Sequence, residues 1–273
     1  WSTYEGATLL TSGRETAALA AELAGLLARM RPDGAIVIAD RHETLGAGQA
    51  VAYQQIPLIH VQGGERSGSI DDKVRHSLTA LADVHLVATA QAKLRVYGLT
   101  GRWTSIHRVG CPSLDLAYQA KTDPAVTPSA LGGVGWVETS RPFLVVLQHS
   151  VTSEWAVAQT HMNETLSALV TLQMPAVLVW PGQDAGSETM SKQIRLFQAE
   201  EHAAIQIIRN APPRRFLRLL LQSACLVGNS SVGIRECSAL GVPVVNIGTR
   251  QQGRERGPNV VDCAPDRTAI VCA

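Results

Sequence analysis

The chain has 273 residues, 45% of them hydrophobic, with 24 Lys and Arg against 23 Asp and Glu for a formal net charge of +1. That balance gives no support for a nucleic-acid or polyanionic-membrane partner, and no apolar run approaches the roughly 18 residues that span a bilayer, so neither partner is expected. Length and apolar content allow one large core or two moderate ones.

Cys111, Cys225, Cys237, Cys263 and Cys272 are scattered, with no Cys-x-x-Cys and no zinc-ligand spacing. They read as reduced core residues of a cytoplasmic protein. No metal or redox cofactor is indicated. Trp1 stands first rather than Met, so the natural start is expected upstream.

In chain order, Ser12 with Glu15 three residues on forms a capping-box pattern, and residues 17–30 carry an Ala/Leu-rich helix that Pro32 and Gly34 end. A strand over 35–39 stops at Asp40-Arg41. A second helix leads to the strand 56–61 and then to His60-Val-Gln-Gly-Gly-Glu-Arg-Ser-Gly-Ser-Ile-Asp-Asp-Lys-Val-Arg-His76. Within that stretch a helix opens at Asp71, with Val74, Leu78, Leu81 and Ala82 on one face. Gly63, Gly64 and Gly68 let the backbone turn sharply at the strand-to-helix corner, where Glu65, Asp71 and Asp72 add carboxylates. Asp71 read alone could be only a helix cap. Further strands are expected over 84–88 and 105–109, each followed by helix.

Residues 121–142, rich in Pro, Gly, Ser and Thr, read as a linker. Strands are then expected over 143–148, 176–180, 204–208, 224–227 and 242–247, with helices between. The alternation predicts an α/β chain of two Rossmann-like domains, 1–120 and 143–273, joined by 121–142.

Polar residues cluster where these strands end: Asp40 and Arg41, Gln62 and Glu65, His149 and Ser150, Gly182, Gln183 and Asp184, Ser230 and Ser231, and Arg250. In open parallel sheets ligands bind outside the carboxyl ends of the strands, so these groups are expected to line one cleft. Gly228-Asn-Ser-Ser-Val-Gly-Ile-Arg-Glu236 turns from strand into helix. Its N–H groups and hydroxyls suit a diphosphate, and Glu236 one turn on suits ribose hydroxyls. An ordinary Ser N-cap with a solvated Glu236 is the plainer alternative.

The 60–76 stretch, Val109-Gly-Cys-Pro-Ser-Leu-Asp115, Leu147-Gln-His-Ser-Val-Thr152, the 228–236 turn and Gly-Thr-Arg-Gln-Gln-Gly-Arg-Glu-Arg-Gly-Pro-Asn before Val260 resemble the hydrolysing UDP-N-acetylglucosamine 2-epimerases over nearly the whole chain. Gly-Gly-Glu followed by Ile-Asp is similar to that branch rather than to the His-Val-Glu-Ala-Gly-Leu-Arg of the non-hydrolysing one. The resemblance implies a glycosyltransferase-B-like fold, a nucleotide-sugar substrate, self-association into a homo-oligomer, and conversion of UDP-N-acetylglucosamine and water to N-acetylmannosamine and UDP. It implies Asp40 and Asp71 as acid–base groups and His149 as an active-site histidine near the diphosphate. Ser230 and Ser231 are implied as the diphosphate pair, Glu236 as the ribose contact and Arg250 as an active-site arginine.

Arg41 could hold Asp40 ionised or form a surface ion pair, and Arg254 and Arg256 could reach substrate or solvate a loop. His76, His85 and His107 read as structural. The family's third catalytic carboxylate falls on Gln62, an amide that exchanges no proton at neutral pH, and Glu65 is the expected substitute. The resemblance also implies an arginine-bearing phosphate loop before Asp40 and closing helices after Cys263. The chain is therefore expected to be incomplete at both ends, its first domain truncated, with weak or no activity. A glycosyltransferase, an epimerase of a GDP-linked or amino-deoxy sugar, and a non-catalytic nucleotide-sugar-binding remnant are the alternatives.

Overall fold

The computed structural model describes residues 8–38, 40–182, 184–200 and 204–273, and the chain divides into two compact units, Trp1–Cys111 and Pro112–Ala273. Ala39 and Gln183 of the expected strand ends lie outside the described residues.

In the first unit α1 (Leu9–Met30) precedes β1 (Ala35–Ile38), α2 (His42–Tyr53), β2 (Leu58–Val61), α3 (Asp71–Leu81), β3 (Val84–Val87), α4 (Ala90–Thr100) and β4 (Ile106–Arg108). The strands form one parallel sheet in the order β1-β2-β3-β4. Helix α1 starts earlier than the sequence pattern predicts. Thr8 and Thr11 make the capping box, each side chain accepting from the other's N–H at 3.1 and 2.9 Å, whereas Glu15 is drawn off to His42 Nε2 at 3.1 Å. Arg31 in the left-handed conformation closes the helix. Leu27, Val37, Val51, Leu58, Val74 and Leu78 form the main core here, and Val87, Ala92, Val96 and Ile106 a second, smaller one.

The second unit runs α5 (Pro112–Ala120), β5 (Val134–Gly135), β6 (Leu144–Leu147), α6 (Ala158–Leu172), β7 (Ala176–Val179), α7 (Ser187–Ala199), β8 (Ile205–Ile208), α8 (Pro213–Gln222), β9 (Cys225–Gly228), α9 (Ser231–Ile234), α10 (Glu236–Leu240), β10 (Val244–Ile247), β11 (Val260–Cys263) and α11 (Arg267–Cys272). Its sheet has the order β11-β10-β9-β6-β7-β8-β5, parallel except for β5. Successive side chains of a strand point to opposite faces. Val145 and Leu147 accordingly join the core under α5 and α8, while Leu144 and Val146 join the one under α6 and α7. Burial on both faces is why these strands read as unbroken apolar runs.

The stretch 121–142 belongs with this unit. Val126, Leu131 and Val137 are buried in its core, Val126 exchanges two hydrogen bonds with the Gln222 side chain (2.8 and 3.1 Å), and β5 pairs antiparallel with β8. The division between units falls instead after Cys111.

The chain winds outward from β6 through β7 to β8, then returns to lay β9, β10 and β11 on the other side. The switch point lies between β6 and β9, where a doubly wound sheet opens a crevice at its carboxyl edge.

Candidate active site

In the first unit Asp40 and the Glu65 backbone meet at Arg75, which the sequence reading did not single out. Its side chain is 1% exposed. The guanidinium donates to Asp40 Oδ2 from beyond β1, to Asp72 Oδ1 in the first turn of α3, to the Glu65 carbonyl at 2.8 Å and to Ser67 Oγ at 3.4 Å. Burial opposes its charge most strongly, yet the Asp40 and then the Asp72 carboxylates outweigh it and raise the pKa of Arg75. Arg75 is therefore a permanent cation that ties the loop after β2 to Asp40.

Asp72 closes that loop from below. It accepts from Ser67 N (2.8 Å), Ser67 Oγ (3.0 Å) and Gly68 N (2.9 Å). Burial would push its carboxyl up most strongly, but these N–H donors, with Arg75, more than offset it and leave the pKa below the usual carboxylate range. Asp71, the next residue back, is half-buried, with its N–H on Ser69 Oγ at 3.3 Å. The N-cap position is Ile70 rather than Asp71.

Gln62 follows β2 in the left-handed region at φ 65° and is 8% exposed, and its Nε2 donates to Cys111 Sγ at 3.1 Å. Glu65 is half-buried. Arg41 is exposed and bound to Glu43 at 3.1 Å; burial raises the Glu43 carboxyl most, but hydrogen bonding from Arg41 and the local backbone brings it below its ordinary value.

Of the three histidines read as structural, His107 is exposed and His76 half-buried, while His85 lies fully buried on β3. Burial chiefly, then the Arg102 cation, lowers the His85 pKa against the pull of Asp83.

In the second unit the switch point brings His149, Ser230, Ser231 and Arg250 to one edge. Gly182 N–H donates to His149 Nδ1 at 3.1 Å, so the neutral imidazole carries its proton on Nε2. Ser230 caps α9, its Oγ accepting from Val232 N at 3.4 Å, and Ser231 Oγ accepts from Arg235 Nη2 at 3.0 Å. The plainer reading of Ser230 as a cap is thus present in the structure.

Glu236 is not on a solvated face. The helix breaks at Arg235, α10 restarts at Glu236, and the side chain is 9% exposed, with Oε2 buried and without a hydrogen-bond partner among the described residues. Arg235 Nε lies 3.8 Å from that oxygen. Burial first, then the Glu236 charge, pushes the adjoining Cys237 thiol up to about 12.

Arg250 Nη2 lies 3.8 Å from Asp184 Oδ2. Arg256 is tied to Asp262 at 2.7 Å and to the Arg254 carbonyl at 2.8 Å, which makes it a loop brace. Among the described residues no group of three or more His, Cys, Asp or Glu is placed to hold a metal ion, and no helix is long and apolar enough to cross a membrane.

Residues 6–273 match the family model described as UDP-N-acetylglucosamine 2-epimerase. The chain is 31% identical over 240 residues to a UDP-N,N'-diacetylbacillosamine 2-epimerase (hydrolyzing) of Legionella pneumophila, covering 88% of this chain and 62% of that protein. It is 30% identical over 232 residues to a UDP-N-acetylglucosamine 2-epimerase of Neisseria meningitidis, covering 85% and 60%. The chain thus spans about three fifths of the length of these relatives. Among solved structures, the Methanocaldococcus jannaschii UDP-GlcNAc 2-epimerase in complex with UDP-GlcNAc and UDP superposes with a TM-score of 0.76 at 15% identity, covering 96% of this chain and 73% of that one. The fold is the α/β, glycosyltransferase-B-like fold of such proteins.

Proposed function

The chain belongs to the UDP-N-acetylglucosamine 2-epimerase family, and from that premise we propose that it acts in the hydrolysing manner, turning UDP-N-acetylglucosamine and water into N-acetylmannosamine and UDP. The observation that carries the nucleotide half of this reading is Glu236: a buried carboxylate oxygen with no hydrogen-bond partner among the described residues, one turn beyond the Ser230–Ser231 corner, is an acceptor suited to ribose hydroxyls. Ser230, Ser231, Arg250 and the Nε2–H of His149 then supply donors where charge develops on the departing diphosphate.

The chemistry proposed has two steps. A carboxylate takes the C2 proton while the C1–O bond to UDP breaks, leaving a C1=C2 glycal. Water then adds its oxygen to C1, and a carboxyl group returns a proton to C2 from the other face, which inverts that centre. Asp40, Asp71 and Glu65 are the groups assigned to this work, with Gln62 restricted to hydrogen bonding and Arg41 to contact with substrate. The Gly-Gly-Glu and Ile-Asp pattern of 63–71 and the hydrolysing activity in the name of the Legionella relative support the hydrolysing branch. The same relative favours one second reading, in which the sugar is the 4-amino-6-deoxy UDP-N,N'-diacetylbacillosamine. The scattered pattern of the five cysteines, with no Cys-x-x-Cys, underlies the proposed cytoplasmic setting.

Incubation with each UDP-sugar in D2O, followed by proton NMR, tests the reading. Free 2-epimerised sugar carrying deuterium at C2, together with free UDP, is the expected product. A UDP-linked epimer with no free UDP would overturn the hydrolysing assignment, and absence of exchange at C2 would overturn the elimination route.

A further inference from the structure

Asn229 occupies the switch point between β6 and β9 and is 3% exposed. Its side chain uses both ends of the amide on one residue: Oδ1 accepts from His149 N at 2.7 Å, and Nδ2 donates to His149 O at 2.8 Å. Its own N–H donates to Leu147 O at 3.2 Å. Its carbonyl accepts from Arg250 Nη1 at 3.3 Å and from Gln251 Nε2 at 3.0 Å. Three strand-end loops, those after β6, β9 and β10, are therefore joined through one residue.

The contacts continue into a closed circuit. Arg250 reaches Asp184 in the loop after β7, and Gly182 of that loop donates to His149 Nδ1. Ser230 and Ser231 follow Asn229 directly in the chain. A misplacement at Asn229 would reach every proposed diphosphate contact at once.

We propose that Asn229 is the positioning residue of the diphosphate clamp: by holding both backbone groups of His149 it sets the imidazole against Gly182, fixes the Nε2–H tautomer, and aligns that donor with Arg250 and the two serines. The role demands an amide. Aspartate keeps the acceptor but has no N–H for the His149 carbonyl and places a negative charge beside an anion site. Serine is too short to span both groups. The ligand side of this inference rests on the nucleotide-binding reading above, whereas the effect on His149 does not.

The test uses the full chain with Asn229→Ala and Asn229→Asp, the latter close in shape and retaining one acceptor should the alanine variant fail to fold. Nitrogen-15 NMR of the His149 ring and calorimetric titration with UDP are the two readouts. Expected is a ring signal dominated by the Nε2–H form in the unmodified protein, a mixture of tautomers or a shifted titration in the variants, and UDP binding weakened roughly tenfold or more. An unchanged tautomer in a folded variant overturns the positioning role, because a general packing role would leave the ring signature intact. An altered tautomer with UDP affinity unchanged overturns the link to the clamp. Failure of the unmodified protein to bind UDP would count against the proposed function alone, and the ring signature would still decide the role of Asn229.

Discussion

The buried Arg75 of α3 and the part-buried Asp40 beyond β1 form an ion pair across 35 positions of sequence, and Asp72 shares the same guanidinium. An acid–base group proposed for catalysis is thereby held by a cation that water barely reaches. Removing the guanidinium takes away the charge that Asp40 and Asp72 share, and Asp72 is left with its Ser67 and Gly68 donors alone, at a cost of about 3 kcal/mol. Arg75→Met is expected to lower the urea midpoint accordingly and to abolish turnover. Arg75→Lys keeps the charge but not the planar fork needed to serve Asp40, Asp72 and the Glu65 carbonyl together, so part of the stability should return and little of the activity. Denaturation curves and UDP release measured on the same samples check both.

Stability should fall on acidification before the carboxylates titrate. His85 is fully buried, neither ring nitrogen has a hydrogen-bond partner among the described residues, and its pKa is lowered on folding. The unfolded chain therefore binds the proton more readily. The stability linked to His85 is fully present above the ordinary imidazole value of about 6.5 and is lost as pH drops through it. The lowered Asp72 carboxyl acts with the same sign at more acidic pH, its contribution fading below its ordinary value near 3.8. Urea midpoints should decline between about pH 7.5 and 5.5, and His85→Phe should flatten that slope.

With an amide at position 62, Glu65 is the residue proposed for proton transfer at that corner. Glu65→Gln is expected to reduce turnover about a hundredfold or more with little change in KM. Turnover close to that of the unmodified protein would remove Glu65 from the mechanism. Restoring a carboxylate with Gln62→Glu in the Glu65→Gln background should recover part of the loss.

Gly228 ends β9 at φ 144°, and a Cβ there would run into the Leu147 carbonyl oxygen. Gly228→Ala should cost about 2 kcal/mol or more, because conformation and space both forbid it. It should also displace Asn229 from His149, so calorimetry ought to show loss of UDP binding. Gly98→Ala in α4, where a Cβ meets nothing, is the control and should stabilise the chain by about 0.5–1 kcal/mol.

The strands of the second unit were legible because burial on both faces leaves no polar alternation to misread, as Leu144–Leu147 shows. The strand-end residues followed from them. Helix α1 was placed too late because a Thr8–Thr11 box lacks the Glu or Gln expected at the third position. Arg75 and Asn229 were passed over for a different reason. Each sat inside a quoted motif, but its importance comes from partners 35 and 80 positions away, and no local spacing records such distances. Burial of Glu236 likewise depends on the break at Arg235, which a periodic reading carries straight through.

The hydrogen bonds between the Gln222 side chain and the Val126 backbone have a practical consequence for dissecting the molecule. The amide of Gln222 stands in for a neighbouring strand and fastens a prolyl, glycyl segment that contributes Val126, Leu131 and Val137 to the core below it. A fragment cut at residue 143 would begin with an open groove along α8 and lose the antiparallel edge beyond β8. One cut before Pro112 would carry its own cover and be the better choice for isotope labelling of the second unit.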